Sequence, residues 1–330
     1  MATKRKNPSG LILLQFHRPT FNLNKTSIPQ LTPESRRCIQ TLAAYRRPKS
    51  RLRYPKSRSA AVLVALFVGR NGDLYVLLSK RAAHLRTYAG DTALPGGKWE
   101  PRDKSIEWTA RREAFEEIGL PLDYQKVPTL CILPPHLAGN KLIVTPVVVL
   151  VLDNTLRPIL NQAEVASLFS HPLKSFLHSE PPFPAEQESL EVQYHSYSDF
   201  PSVAGHTRIH TFLTGREAGG TKPVFGLTAS ILIEVAQAGY GRAPDFEAYA
   251  PDQPAMEARI GHALRHDPVF RAAELAEGID PDKTPAPAVG PRRRARRAVG
   301  ANATAQKEVE RRDGPTTAGT GWGGRLRAKL

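Results

Sequence analysis

The 330-residue chain is 41% hydrophobic, with a formal net charge of +15 and two cysteines. Cys38 and Cys131 lie far apart without metal-ligand spacing, which excludes a disulfide framework or zinc ribbon and leaves free thiols in a reducing compartment. The charge sits at the ends: residues 1–58 carry a net +13 and 281–330 a net +8, against −6 for 59–280. Basic, Pro/Gly-rich ends read as solvated tails, which argues against nucleic acid as the partner.

The first segment, 1–57, is basic and contains one helix. "TPESRRCIQTLAAYRR" places Thr32 at the N-cap and Pro33 at the first helical position. Upstream, Pro8 and Gly10 interrupt any amphipathic presequence, and the apolar patch at 11–14 is too short for a secretory leader. The main domain, 58–250, opens with "AAVLVALFV" and "LYVLLSKR" around the Asn-Gly of "GRNGD", a hairpin signal. "CILPPHLAGNKLIVTPVVVLVL" supplies further strands with a turn at Gly139 and Asn140. These runs are strand-sized and none is long enough to span a membrane.

"NQAEVASLFSHPLKSFL" is expected to form a short helix and then a loop at Pro172. "EVQYHSYSDF" and "TRIHTFLT" suit a hairpin, in which His206 and His210 lie about 13 Å apart and make no metal pair. His136, after two prolines, reads as a loop residue. "GLTASILIEVAQAGYG" is a helix with Leu227, Ile231, Leu232, Val235 and Ala236 on its apolar face, closed by Gly239 or Gly241. A peripheral helical segment is expected at 251–280 and a disordered basic tail at 281–330.

Chemistry concentrates in "LPGGKWEPRDKSIEWTARREAFEEIGL", residues 94–120. Asp103 or Ser105 can cap a helix ending at Ile118, with Gly119 as its left-handed stop. Glu113, Glu116 and Glu117 share one face within one turn, and Ile106, Ala110, Ala114 and Ile118 line a stripe beside them. Clustered carboxylates supply hard oxygen ligands for Mg²⁺ or Mn²⁺, and Arg112 is spaced to hold Glu116. Gly96 and Gly97 allow backbone to approach a ligand where no Cβ intrudes.

"REAFEEIGL", Arg112–Leu120, resembles the second half of the signature of the Nudix hydrolases. The first half departs, since Lys98 stands where that signature has glycine and the first acid is Asp103 or Glu100. A loop one residue longer is what the coenzyme A diphosphatase branch carries. "LLSKRAAHLRTYAGDTALPGGKWEPRD" resembles that branch through Leu77, Leu78, Arg81, Leu85, Gly90, Pro95, Gly96 and Gly97. Tyr88, Leu94 and Glu100 replace its common His, Phe and Asp. The likeness runs over roughly 58–247 and is strongest to fungal peroxisomal members.

The resemblance implies an α/β/α sandwich with a mixed sheet and a metal-dependent pyrophosphatase. It would cleave coenzyme A, or its oxidised and acyl derivatives, to 3′,5′-ADP and 4′-phosphopantetheine. By the same resemblance Glu113, Glu116 and Glu117, with the Gly96 carbonyl, would hold the metal, and the general base would be Glu117 or Glu164. Lys80, Arg81, Arg86 and Lys98 near Gly97 could hold phosphates, Arg81 and Arg86 best of these. Trp99 and Trp108 have the rings to stack on adenine. Alternatives are a Nudix hydrolase acting on NADH or ADP-ribose, an inactive Nudix binding module, and an RNA-binding or RNA-processing protein.

The last three residues, Ala328, Lys329 and Leu330, form a conservative variant of the Ser-Lys-Leu address read by the peroxisomal import receptor. The expected location is the peroxisome, with cytoplasm or mitochondrion as alternatives.

Overall fold

Two apolar, β-branched segments make the centre of the molecule. In the computed structural model, which describes residues 28, 30–153, 156–183, 193–202 and 205–283, β1 (Ser59–Val68) and β7 (Ile143–Val151) pair in parallel from Ser59–Ile143 to Phe67–Val151. Both strands are buried on both faces, as a central parallel pair must be. Ala61, Leu63, Ala65, Val147 and Val149 face one layer, and Ala60, Val64, Leu66, Val144, Val148 and Leu150 the other.

The Asn71-Gly72 turn returns the chain antiparallel as β2 (Leu74–Arg81). Gly72 takes φ +79°, and a Cβ there would lie 2.6 Å from the Gln30 carbonyl oxygen, so only glycine fits. β3 (Thr92–Ala93) extends this side of the sheet along β2, and β4 (Gly96–Lys98) lies against β1. β5 (Thr129–Ile132) and β6 (His136–Leu137) pair with β7, completing a mixed sheet. One face carries α2 (Ile106–Ile118), and the other α1 (Pro33–Ala44) and α3 (Gly226–Tyr240). This is the expected α/β/α sandwich.

Local signals in α1 and α3 act as their residue types dictate. Thr32 caps α1 by accepting from the Ser35 amide, and Gly241, rather than Gly239, closes α3 at φ +66°. Gly239 instead lies against Cys38, where a Cβ would fall 2.5 Å from the sulfur. Cys38 and Cys131 are both buried and unbridged.

The segment expected to be a short helix is strand β8 (Val165–Pro172), antiparallel to β2 from Arg81–Val165 to Tyr75–Pro172. The outer edge of β2 needs partners for its amides and carbonyls, and alternation buries Val165, Phe169 and His171. Only the preceding turn coils, where the Glu164 and Val165 amides return to the Asn161 carbonyl. His136 is likewise in a strand rather than a loop, buried, with Nε2 3.1 Å from a Glu234 oxygen.

A second sheet, β9 (His195–Ser202), β10 (Gly205–Phe212) and β11 (Val224–Phe225), contains the expected hairpin. His206 pairs with Asp252 at its exposed end, while His210 is buried between His195 and the Ala248 carbonyl. Helices α4 (Met256–His266) and α5 (Pro268–Ala276) pack Ile260, Leu264 and Phe270 around Leu52, Tyr54 and Ile143. Among the described residues no helix is long and apolar enough to cross a membrane. The extreme N-terminus, "PRRRARRAVG" and Ala328–Leu330 lie outside the described residues.

Candidate active site

Helix α2 tolerates its charge because its other faces are firmly held. Ser105, not Asp103, is the N-cap, accepting from the Trp108 amide at 3.1 Å, and Gly119 closes the helix at φ +68°. Ile106, Ala110, Ala114 and Ile118 are buried against β1 and β7. Burying the two isoleucines alone stabilises by roughly 3–6 kcal/mol, against about 0.2–0.5 kcal/mol for each like-charge pair on the helix. Glu107 and Arg111 are buried and pair at 3.1 Å, and Arg111 reaches the Val127 carbonyl and Thr129, tying the helix to β5.

Asp103 is the anchor of the next face. Its buried carboxylate accepts from the Glu100 amide and Thr109 Oγ1 at 2.9 Å each, and from Arg112 Nε and Nη2 at 2.9 and 3.1 Å. Burial pushes the Asp103 carboxyl up, but these donors outweigh it and hold it below the usual carboxylate range. Arg112, so held, reaches Glu116 at 3.0 Å, Glu113 at 3.1 Å and the Lys98 carbonyl at 3.0 Å. The expected Arg112–Glu116 contact is therefore one arm of a larger fork.

The paired glycines bring β4 against the glutamates. A Cβ on Gly97 would lie 2.4 Å from the Glu113 carboxyl carbon, and one on Gly96 would lie 2.3 Å from the Ala61 carbonyl oxygen. The Gly96 amide donates to Glu117 Oε2 at 3.1 Å. Burial, then the charges of Glu113 and Glu164, pushes the buried Glu117 carboxyl up to about 7, against the pull of the Gly96 amide and Arg81. Burial, with Glu116 and Glu164, raises Glu113 as well, against Arg112.

Glu164 reaches this cluster from the turn before β8, where its carbonyl accepts from the Ala82 amide at 2.8 Å. Thus a residue 47 positions from Glu117 in the chain presses its charge on both Glu113 and Glu117.

Strand parity sorts the expected cations. Leu74, Val76 and Leu78 of β2 face the α1 and α3 layer, so Lys80 follows them and Arg81 faces α2. Arg81 lies within electrostatic reach of Glu117, and its buried Nε has no hydrogen-bond partner among the described residues. The Lys80 ammonium donates to the Gly220 carbonyl instead. Lys98, next to Gly97, turns to the face opposite the glutamates, and Arg86 is exposed on the loop 82–91. Trp99 and Trp108 are half-buried, below Lys56 and Lys104 respectively.

Among the described residues no three His, Cys, Asp or Glu side chains stand in a ready-made metal cluster. Arg112 spans Glu113 and Glu116 instead. The donors nevertheless suit a hard divalent cation: three carboxylates within one helical turn, one pushed up by negative charge that a cation would relieve.

Comparison with known proteins gives this geometry a lineage. The family model described as "NUDIX domain" matches residues 57–211. An uncharacterised Nudix hydrolase, NudL, of Photorhabdus laumondii is 35% identical, covering 55% of this chain and 84% of its own. The chain belongs to the Nudix family. Nudix hydrolase 15, mitochondrial, of Arabidopsis thaliana is 40% identical, covering 59% of this chain and 64% of the relative. Peroxisomal coenzyme A diphosphatase 1 of Saccharomyces cerevisiae is 34% identical, covering 44% and 51%. The chain thus spans between half and two thirds of the length of these two relatives, while matching most of the bacterial Nudix protein. Asp103 as a buried anchor and Thr109 as its second support were not foreseen from the Nudix box, because neither role has a local spacing signal.

Proposed function

We propose that this chain is a divalent-metal-dependent pyrophosphatase that hydrolyses coenzyme A and its derivatives to 3′,5′-ADP and 4′-phosphopantetheine. The observation that supports the substrate is the likeness of the segment from Leu77 to Gly97 to the coenzyme A diphosphatase branch, in a loop whose Gly96 amide meets Glu117 at 3.1 Å. The Saccharomyces relative, which bears the coenzyme A diphosphatase name, supports the same substrate. We take 58–250 as the catalytic domain, with 1–57 before it in the chain and 251–280 after it as a peripheral segment.

Glu113, Glu116 and Glu117 are the residues to hold Mg²⁺ or Mn²⁺, with the Gly96 carbonyl as a further oxygen. A bound divalent cation would neutralise the diphosphate oxygens and favour in-line attack by water on phosphorus. Arg112, fixed by Asp103, orients Glu113 and Glu116. Arg81 offers a guanidinium N–H to a phosphate oxygen, and Arg86 a second contact from the loop. Glu164 is the residue to take the proton from the attacking water, because Glu117 accepts from the Gly96 amide and would be occupied as a metal ligand.

The rival reading is a Nudix hydrolase acting on NADH or ADP-ribose. A panel of coenzyme A, NADH and ADP-ribose with Mg²⁺, read by product mass, separates the two. Coenzyme A is expected to be cleaved fastest, and a preference for NADH overturns the assignment. We place the reaction in the peroxisome, following the compartment in the yeast relative's name, whereas the Arabidopsis name above carries a mitochondrial one. A fluorescent fusion of the full protein that localises elsewhere contradicts this placement.

A further inference from the structure

The loop 82–91 is bracketed by Arg81, which faces Glu117, and by β3, which leads within three residues to Gly96. It holds two left-handed positions, Tyr88 at φ +56° and Gly90 at φ +70°. For a bulky aromatic residue that conformation is rare and persists only where its surroundings impose it. Tyr88 is nevertheless 53% exposed, so burial does not impose it.

The constraint comes from far along the chain. Lys222 Nζ donates to the Ala89 carbonyl at 2.9 Å and to Asp91 Oδ1 at 2.6 Å, on either side of Gly90. The Lys222 carbonyl accepts from Thr92 Oγ1 at 2.6 Å. Within the loop, the Asp91 amide returns to the Tyr88 carbonyl at 3.1 Å, and the Asp91 carbonyl accepts from the Arg81 amide at 2.9 Å. The Lys222 side chain is half exposed, and an ion pair so placed adds little to global stability. Its effect is local: it holds the Ala89 carbonyl and the Asp91 side chain, one and three residues after Tyr88.

We propose that Lys222 is a positioning residue that sets the shape of loop 82–91 and so presents the Tyr88 ring as a stacking platform for the substrate's nucleobase. This rests on the reading that the substrate is a nucleoside diphosphate conjugate. An exposed flat ring on a fixed loop is what base stacking requires, and it works for any base.

The test uses Lys222→Met, Lys222→Arg, Tyr88→Ala and the Lys222→Met/Tyr88→Ala pair in the full chain. Calorimetric binding of 3′,5′-ADP, amide hydrogen exchange over 84–91, and steady-state kinetics on the best-cleaved member of the panel are measured. Lys222→Met should speed exchange in the loop and raise KM about fivefold, with kcat changed less than about twofold, and Lys222→Arg should restore most of the loss. Tyr88→Ala should weaken ADP binding about tenfold, and the pair should be little worse than Tyr88→Ala alone. Unchanged exchange and ADP affinity, a loss confined to kcat, or full additivity overturns the proposal. Loss of ADP affinity in a protein that spares coenzyme A would retain the clamp and refute only the coenzyme A reading.

Discussion

Asp103 holds Arg112 at two points, with Oδ1 2.9 Å from Nε and Oδ2 3.1 Å from Nη2. The pair lies on the side of α2 that faces the glycine loop, and from it Arg112 spreads to Glu113, Glu116 and the Lys98 carbonyl. Glu113 and Glu116 are therefore oriented by a single guanidinium whose own position is set by one buried carboxylate, while Glu117 is held by the Gly96 amide.

Replacing that carboxylate should cost both folding and turnover. Asp103→Asn removes the buried charge that anchors Arg112, leaving it only its more exposed carboxylate partners, and breaking a buried pair from one side costs about 3 kcal/mol. Urea unfolding should show that loss, and kcat should fall at least tenfold as the fork loosens. Wild-type stability in the variant would contradict the anchoring role.

Gly97→Ala should separate folding from catalysis. The new methyl would meet the Glu113 carboxylate, while the Gly97 backbone stays in its ladder with Ala61. A displacement of Glu113 by about an ångström is enough for roughly a hundredfold loss in kcat/KM. Circular dichroism should remain that of the wild type. Full activity would mean that Glu113 is free to take another position at no cost.

Glu164→Gln tests the proton acceptor. A missing general base lowers kcat by about 10² to 10⁴ and leaves cation affinity in place. Should Glu164→Gln turn over normally and Glu117→Gln retain its cation yet lose turnover, Glu117 takes the base role instead.

Stability should fall as the medium is acidified. Burial, with the charge of Arg216 adding to it, pushes the His171 imidazole down to about 4, where it sits 2.8 Å from the Tyr194 hydroxyl. The unfolded chain protonates this group near 6.5, so its contribution is complete above that pH and is lost as pH falls toward 4. Burial and the neighbouring His210 depress His195 to about 4 as well, in the same direction. Between pH 7 and pH 5 the loss from His171 should be on the order of 2 kcal/mol. His171→Gln should flatten the pH dependence of the urea midpoint by that amount, and an unchanged slope would contradict it.

Much of the site was legible because its signals are local. Thr32, Pro33, Ser105, Gly119 and Gly241 act within one turn of their helices, and the glutamate spacing on α2 follows from 3.6 residues per turn. What was not legible depends on contacts made across the fold. The 165–172 segment has apolar spacing compatible with a helix, and only the unfilled edge of β2 selects a strand. Lys80 and Lys98 sit beside Arg81 and Gly97 in sequence, but strand alternation turns them to the opposite face. Lys222 touches its partners across more than 130 residues and carries no motif.

The account turns on cation binding by the carboxylates of α2. Calorimetric titration of Mn²⁺ into the purified chain, beside the Glu113→Gln/Glu116→Gln/Glu117→Gln variant, tests it directly. The wild type should bind Mn²⁺ with a saturable heat that the variant lacks. No uptake by the wild type, or equal uptake by both proteins, would contradict it.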